Sequence, residues 1–402
     1  RSTPSNSSAA SDVYKRQVQL FKLNYDDREV EAVADVVRSG WITMGEKTVE
    51  FENKFGRFLN NGSVCCVATS SGTAALHLAM LASDIGHGDE VIIPALTFVA
   101  DINVVKICGA KPVLADSTSF DDWNINPGEI KRKITDKTKA IIVVHYGGFP
   151  CEMDEILSII DKVNRDRNDR GLPSIKLIED AAHAPGAKYK GVLCGIMGDI
   201  GCFSFFTNKN LSVGEGGMFV TKDKDLDTEA RYIRSHGMTT LTLDRHKGRA
   251  ISYDVKRVGL NYRIDEMRAA LGLVQLEKLP GANRARESLV KEYYRLLNGQ
   301  SGISIPFQHI KDRSASYHIF PILLDPSINR EAIITGLKDK GIQASVHYPA
   351  FHDFSAYHDL DPDGVPIATE IAQREITLPL YPTMGLSKVK VVCDALKAVI
   401  NG

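Results

Sequence analysis

Short apolar runs that alternate with stretches of helical periodicity constrain the fold of this chain most strongly. After Ser63 the apolar runs, each of strand length, cover residues 64–68, 90–93, 112–115, 140–144 and 175–178. Helical patterns cover residues 73–82 and 99–108 between them. Strands that alternate with helices are typical of a parallel sheet joined by right-handed crossovers. The sequence therefore predicts an α/β fold with a mostly parallel central sheet.

A break in the pattern near residue 280 predicts a second domain. Strand-like runs at residues 200–206 and 217–221 are followed by a long helical pattern over residues 265–279, which we expect Pro280 and Gly281 to break. Beyond them lie predicted helices at 285–297, at 330–340 and from Ser387, with strands at 318–324 and 344–347. The sequence predicts a large domain over residues 18–280 and a smaller C-terminal α+β domain over residues 281–402. Residues 1–17, rich in serine and without an apolar core, are interpreted as a disordered or non-native leader.

Charge, hydropathy and cysteine spacing exclude several classes of function. A net charge of -1 gives no overall positive field to attract nucleic acid. No apolar stretch reaches the roughly 18 residues that a transmembrane helix needs. The seven cysteines form no C-x-x-C pair, so the sequence favours thiols in a reducing compartment over disulfides or a zinc site. We expect a cytoplasmic protein that binds neither nucleic acid nor a membrane.

Two polar segments follow predicted strands and are candidates for ligand binding. Residues 69–73 lie between a strand and a helix, where free N–H groups and hydroxyls suit a phosphate, although the segment taken alone favours an ordinary helix N-cap. Glu179 and Asp180 end a buried strand at the edge where open α/β sheets bind ligands. An acid there can hold a cationic ring nitrogen or cap the next helix.

Lys209 and the segment 261–263 are two further candidates. Lys209 lies between an aromatic strand and a glycine-rich turn, as a covalent nucleophile can, although most lysines are solvated charges. Asn261 and Arg263 precede the long helix and either cap it or reach an anionic ligand. A phosphate cradle, an acid and a lysine on one sheet are what a pyridoxal 5'-phosphate (PLP) enzyme needs.

From about Leu23 to near its end the chain resembles the DegT/DnrJ/StrS-type nucleotide-sugar aminotransferases, which are PLP-dependent transferases of fold type I. The resemblance rests on nine ordered motifs, at residues 41–45 (WITMG), 71–76 (SGTAAL), 94–98 (PALTF), 144–148 (VHYGG), 179–183 (EDAAH), 203–205 (FSF), 209–210 (KN), 215–217 (EGG) and 261–263 (NYR).

The resemblance implies roles for individual residues. Lys209 matches the lysine that binds the cofactor covalently, and Asp180 matches the acid that pairs with the pyridine nitrogen. Phe98 matches the aromatic residue stacked on the ring, and His183, where many relatives carry glutamine, is expected near the phenolic oxygen. The implied phosphate ligands are Ser71, Gly72, Thr73 and Ser204.

The resemblance also implies an assembly and a substrate side. Asn261 matches a residue that reaches the phosphate from the neighbouring subunit, so a homodimer with shared active sites is expected. Arg263 is expected to contact the substrate, and His318, His347 and Tyr348 are expected to line the mouth of the site. His77 is interpreted as packed within its helix.

The implied reaction is the transfer of an amino group from an amino acid, L-glutamate by family analogy, to the C3 or C4 keto group of a nucleotide-linked deoxysugar. Relatives that deoxygenate sugars carry a histidine where this chain has Lys209, so aminotransfer is favoured over dehydration. Two alternatives stay open: amination of a cyclitol or another non-nucleotide ketone, and a regulator that binds PLP without turnover. The regulator would be expected to lack the lysine or to carry an added basic segment.

Overall fold

The computed structural model describes residues 18–60, 62–240, 248, 252–360 and 364–402, so the predicted leader lies outside the described residues. The helices are α1 (Asp27–Ser39), α2 (Glu46–Asn60), α3 (Gly72–Ala82), α4 (Val99–Ile107), α5 (Pro127–Lys133), α6 (Met153–Asp169), α7 (Lys224–Arg234), α8 (Glu266–Leu297), α9 (Arg330–Asp339), α10 (Pro366–Arg374) and α11 (Leu386–Ile400). The strands of the main sheet are β1 (Cys65–Thr69), β2 (Glu90–Pro94), β3 (Lys111–Ala115), β4 (Thr138–Val144), β5 (Lys176–Asp180), β8 (Ile200–Ser204) and β9 (Gly217–Thr221), and the shorter strands between β5 and β8 are β6 (Lys188–Tyr189) and β7 (Val192–Leu193).

The main sheet has seven strands in the order β1-β9-β8-β5-β4-β2-β3. Strands β8, β5, β4, β2 and β3 are mutually parallel, whereas β9 is antiparallel to both of its neighbours. The predicted α/β fold with a mostly parallel sheet is confirmed, with β9 as the reversed strand.

Helices cover both faces of this sheet because its strands carry apolar residues on both sides. Along β1, Val67 packs in a core with α3, α4 and α7, whereas Cys66 and Ala68 pack in a core with α2 and α8. Successive side chains of a strand point to opposite faces, so a strand buried on both sides reads as a continuous apolar run. The apolar runs in the sequence have this origin.

Local capping explains where the first helices begin and end. Asp26 accepts the Arg28 N–H, and the Glu29 side chain accepts the Asp26 N–H, which forms a capping box at the start of α1. Gly40 ends this helix with a φ of 72°, a conformation that costs glycine little. At α3 the Ser71 hydroxyl accepts the Ala74 N–H, so the segment 69–73 does contain a helix N-cap.

The C-terminal part packs around a second, smaller sheet. Its strands are β10 (Ile303–Ser304), β12 (Phe320–Leu324) and β13 (Glu375–Leu378), all antiparallel, while β11 (Arg313–Ser314) pairs with β6. Helices α9 and α11 and the second half of α8 share one apolar core with this sheet, and Val18 also packs there. The division at residue 280 into two domains remains a proposal.

Two details of the sequence prediction are wrong. Pro280 does not break the long helix, because α8 runs through it from Glu266 to Leu297. A proline inside a helix loses one hydrogen bond, but α8 packs against α1, α2 and α11 along its length, and this packing keeps it continuous. Residues 344–347 form no strand, since only Ser345 pairs, in an isolated bridge to Thr377.

The buried carboxylate of Glu52 joins α2, β1 and α7. Glu52 accepts hydrogen bonds from the Ala68 N–H at 2.9 Å, from Arg234 at 2.6 Å and from Arg231 at 2.9 Å. Burial raises the pKa of Glu52 and the two guanidinium groups lower it, with a net downward shift. Arg234 is itself buried, so each charge depends on the other for its partner.

We expect Glu52→Ala to lower the free energy of unfolding by about 3–5 kcal/mol, because it leaves the buried Arg234 charge unpaired. Urea denaturation followed by circular dichroism measures the change. The control is Glu31→Ala, which removes an exposed pair with Arg38 and should leave the midpoint nearly unchanged. Equal midpoints for the two variants would contradict the importance assigned to Glu52.

Among the described helices, none is both long and apolar enough to span a bilayer.

Candidate active site

A cavity of about 370 Å³ opens at the carboxyl edge of the main sheet. Residues that follow β1, β2, β5 and β8 line it, because the carboxyl ends of these strands meet at one edge. Ten of the residues predicted from sequence line this cavity: Ser71, Gly72, Thr73, Phe98, Asp180, His183, Ser204, Lys209, His347 and Tyr348.

One end of the cavity is formed by the start of α3 and the end of β8. Gly72 and Thr73 occupy the first turn of α3, where backbone N–H groups have no acceptor within the helix. A Cβ on Gly72 would lie 2.7 Å from the Ser204 Cβ, and one on Gly217 would lie 2.3 Å from the Ser71 carbonyl oxygen. Only glycine lets these backbones approach so closely, and the resulting concave end with N–H donors suits an anion.

Two adjacent acids at the end of β5 point to opposite faces and do different work. Glu179 is fully buried and accepts the N–H groups of Gly195, Met197 and Gly198 together with the His145 Nε2–H. Asp180 lines the cavity, and one of its oxygens accepts the Ala182 N–H at 2.8 Å. Glu179 therefore fixes the strand end that presents Asp180.

The protonation of Asp180 reflects burial and nearby positive groups. Burial raises the pKa of Asp180, while the Ala182 N–H bond, Lys209 and His145 oppose this shift, and the net direction is upward. A cationic ring nitrogen beside this carboxylate would reverse the shift, because an opposite charge favours the ionised form.

Lys209 reaches the same cavity from the turn between β8 and β9. Its backbone N–H donates to the Phe206 carbonyl at 2.9 Å, which holds the turn. Burial lowers the pKa of Lys209 to about 8, and the Asp180 charge partly opposes this. An appreciable fraction of the amine is therefore unprotonated near neutral pH, as nucleophilic attack requires.

Aromatic and imidazole groups line the side opposite the sheet. The Phe98 ring is half exposed and lies 5.5 Å from the ring of Tyr348. His183 Nδ1 accepts the Gly147 N–H at 3.2 Å, and burial lowers the pKa of His183 well below its ordinary value. The neutral ring therefore carries its proton on Nε2 and donates it to the Tyr348 hydroxyl at 3.0 Å. This leaves the hydroxyl hydrogen of Tyr348 for a group in the cavity.

Three predicted residues do not line this cavity. His318 is buried behind His183, with ring centroids 4.3 Å apart, and bonds to Asn210, so its predicted position at the mouth is wrong. Arg263 pairs through its backbone with Thr69, and Asn261 is exposed beside Ser235. Neither caps α8, because the Asp265 side chain accepts the Arg268 N–H there.

His77 is buried in α3 and bonds to the Tyr262 hydroxyl at 2.9 Å, as the packed interpretation predicts.

Sequence reasoning missed four polar groups that line the cavity or lie next to it: Thr97, Asp101, Asn208 and Glu215. Thr97 lines the cavity and donates to Asp101, which is fully buried. Thr97 and Glu215 lie inside the motifs at residues 94–98 and 215–217, and Asp101 and Asn208 lie close to Phe98 and Lys209 along the chain. These were the sequence signals that could have pointed to them.

Comparison with known proteins identifies the class to which this fold and site belong. The model of the DegT/DnrJ/EryC1/StrS aminotransferase family matches residues 24–397. Spr1654 from Streptococcus pneumoniae, solved in its PLP form, superposes with a TM-score of 0.87 at 29% identity, covering 96% of this chain and 99% of that one. The sugar aminotransferase CalS13 from Micromonospora echinospora superposes with a TM-score of 0.85 at 26% identity, covering 95% and 99%.

A curated relative is the spore coat polysaccharide biosynthesis protein SpsC of Bacillus subtilis, 35% identical over 385 residues, which are 93% of this chain and 95% of SpsC. The fold and the site are those of a PLP-dependent aminotransferase. The chain belongs to the DegT/DnrJ/EryC1/StrS aminotransferase family.

The residues of the cavity fit PLP. The glycine-lined end with helix N–H groups suits the phosphate, and the Asp180 carboxylate suits a protonated pyridine nitrogen. Lys209, with its lowered pKa, would supply the amine that PLP binds. A buried oxygen of Asn208, which lines the same cavity, has no partner in the described chain and can accept a hydrogen bond from a ligand.

We expect Gly72→Ala to weaken PLP binding by about tenfold or more, because the new methyl group collides with Ser204 and fills the phosphate end. Titration of the protein with PLP, followed by absorbance, measures the change. The matched control is Gly281→Ala, where the nearest atom to a new Cβ is 3.9 Å away, in the flexible Arg284 side chain. Equal PLP affinity in both variants would show that the phosphate does not lie at Gly72.

Proposed function

We propose that this protein transfers the amino group of an amino acid, L-glutamate, to the C3 or C4 keto group of a nucleotide-linked deoxysugar. The observation that carries the proposal is the single cavity in which Lys209, Asp180 and the glycine-lined anion site come together. Membership of the aminotransferase family supports the reaction class. The sugar nucleotide and the donor remain proposals that rest on the resemblance.

In this proposal the residues that hold the cofactor divide into three groups. Ser71, Gly72, Thr73 and Ser204 would hold the phosphate, and Phe98 would pack against the ring. Asp180 would keep the ring nitrogen protonated. PLP when bound supplies an electron sink that stabilises negative charge at the substrate carbon.

In this proposal Lys209 carries the proton during the reaction. With PLP bound, the Lys209 amine would act as the base toward the substrate carbon that bears the amino group. It would take the proton from that carbon and hold it at Nζ until the proton is given back, as general acid and base catalysis requires. A pKa of about 8 suits this work, because both protonation states of Nζ are populated near neutral pH. His183 and Tyr348, which are hydrogen-bonded to each other, would orient the ring oxygen of the cofactor.

Relatives support a sugar as the acceptor. CalS13 is a sugar aminotransferase, and SpsC belongs to spore coat polysaccharide biosynthesis. An aminated sugar for a polysaccharide or a secondary metabolite is therefore the product we propose. Competition by a free nucleoside diphosphate separates a nucleotide sugar from a cyclitol or another plain ketone. The presence of Lys209 in the cavity argues against a regulator without turnover.

We also propose a homodimer with shared sites in the cytoplasm. Asn261 is exposed and does not line the cavity of its own chain, so it can serve a neighbouring subunit. Val258, three residues earlier, is 92% exposed, and Val255 is 53% exposed. Such apolar exposure near Asn261 favours burial against a second copy. Arg263 is proposed as a diphosphate contact from the same segment.

We expect the visible absorbance of the PLP-loaded protein to bleach when L-glutamate is added, because the donor half-reaction converts PLP to its amine form. Spectra from about 300 to 500 nm measure this change. The Lys209→Ala variant should bind PLP but show no catalytic bleaching, since the base is missing. If only a different amino acid bleaches the absorbance, that amino acid and not glutamate is the donor. A wild-type spectrum indifferent to every amino acid would overturn the proposed reaction.

Mixed dimers test the shared site. We expect Lys209→Ala and Asn261→Ala to be impaired as homodimers, whereas mixing them after gentle dissociation should restore activity. One of the two sites in such a hybrid carries neither substitution if Asn261 acts across the interface. The aminotransferase rate before and after mixing measures the effect. Absence of any recovery in proven hybrids would place Asn261 at the site of its own chain.

A further inference from the structure

A buried chain of three polar side chains leads from the smaller sheet to the cofactor cavity. Glu375 and Thr377 lie two residues apart on β13, so their side chains share one face. The antiparallel bridge between Ser345 and Thr377 places His347 opposite Glu375. All three are buried, with Glu375 fully so.

The hydrogen bonds of this chain are specific. The backbone N–H of His347 donates to Glu375 Oε2 at 2.7 Å. Glu375 Oε1 contacts the Thr377 hydroxyl, and the same hydroxyl lies 2.9 Å from His347 Nδ1. Tyr146 donates to the His347 carbonyl oxygen and holds the residue from its other side. The ring of His347 lines the cavity, and within the described chain its Nε2 has no hydrogen-bond partner.

We propose that Glu375 is a positioning residue that, through Thr377, decides which ring nitrogen of His347 carries the proton. When Glu375 is ionised, the Thr377 hydroxyl donates to it and accepts from His347 Nδ1–H, so Nε2 is a bare acceptor toward the cavity. When Glu375 is protonated, its O–H donates to Thr377, the hydroxyl donates to Nδ1, and the imidazole proton sits on Nε2. One solvent proton bound by Glu375 thus turns His347 from an acceptor into a donor.

The charges around both groups place this change in an accessible pH range. Burial raises the pKa of Glu375 to about 8, against the bonds from Thr377 and His347 and the charge of Arg330 on α9. Burial, with Lys209 nearby, lowers the pKa of His347 to about 4, so its ring is neutral throughout. The other titratable groups that face the pair are Tyr146, Tyr348, His183 and His318. His347 is therefore a donor below about pH 8 and an acceptor above it.

The effect on substrate rests on the proposed function. A donor at Nε2 matches a keto or carboxylate oxygen, whereas an acceptor matches only a hydroxyl or an ammonium group. We expect His347 to favour the keto substrate in its donor form, and kcat/KM to decline above the pKa of Glu375 by about tenfold, the value of one hydrogen bond.

Nitrogen NMR of the PLP-loaded full chain, labelled with 15N-histidine and free of substrate, tests the positioning role from about pH 6 to about pH 9.5. His347→Gln assigns the signal. In the wild type we expect the proton to move from Nε2 to Nδ1 with a midpoint near pH 8. In Glu375→Gln the amide oxygen accepts the His347 N–H and the amide donates to Thr377, so the proton stays on Nε2 at every pH. A wild-type tautomer that does not change with pH, or one that titrates equally in Glu375→Gln, would overturn the proposal.

A second pair of variants keeps the test decisive if Glu375→Gln fails to fold. Thr377→Val removes the hydroxyl and should abolish the pH-dependent tautomer change. Thr377→Ser keeps the hydroxyl and should retain the tautomer change. Identical titrations in these two variants would also overturn the proposal. The kinetic expectation is tested separately. If the tautomer changes with pH but kcat/KM has the same pH profile in the wild type and in Glu375→Gln, contact between His347 and the substrate is refuted. Bleaching by the donor, tested above, decides the proposed function independently.

Discussion

The geometry of the site depends on the hydrogen bonds that the buried Glu179 carboxylate accepts. This carboxylate collects four donors, three backbone N–H groups from residues 195–198 and the imidazole of His145, at the end of β5. An ionised group without water is stable only when its hydrogen bonds are supplied by the protein. These hydrogen bonds tie the loop before β8 to β4 and β5. They leave Asp180, the next residue, pointing into the cavity.

Other parts of the site show the same arrangement, in which one residue holds in place a second residue that lines the cavity. Ser71 caps α3 and so orients Gly72 and Thr73 toward the anion. Glu375 and Thr377 hold His347, while His183, fixed by the Gly147 N–H, holds Tyr348. In each case a hydrogen bond from a neighbouring residue fixes a group that faces the cavity. The cavity can therefore keep polar groups in place before a ligand binds, which lowers the cost of ordering them.

The sequence predicted the sheet and most of the cavity because these depend on local signals. Apolar runs bounded by polar residues located the strands, and Asp180 and Lys209 followed from their positions after strands. Glu375 and Asp101 were not predicted, since a single acid in an apolar run has no pattern that reveals its partners. His318 was misplaced because a histidine just before a strand gives no sign of whether it faces the cavity or the core. The continuity of α8 through Pro280 depends on tertiary packing, which no local rule contains.

Helix α8 has a mechanical consequence. Its 32 residues span about 48 Å as one rod, from Glu266, which binds the start of α2 through Gly45, Lys47 and Thr48, to the core around the smaller sheet. Because the helix is continuous, it fixes the spacing between the two contacts at its ends. The smaller sheet is therefore held at a set distance from the start of α2 by a single element, and not by the loops between the strands.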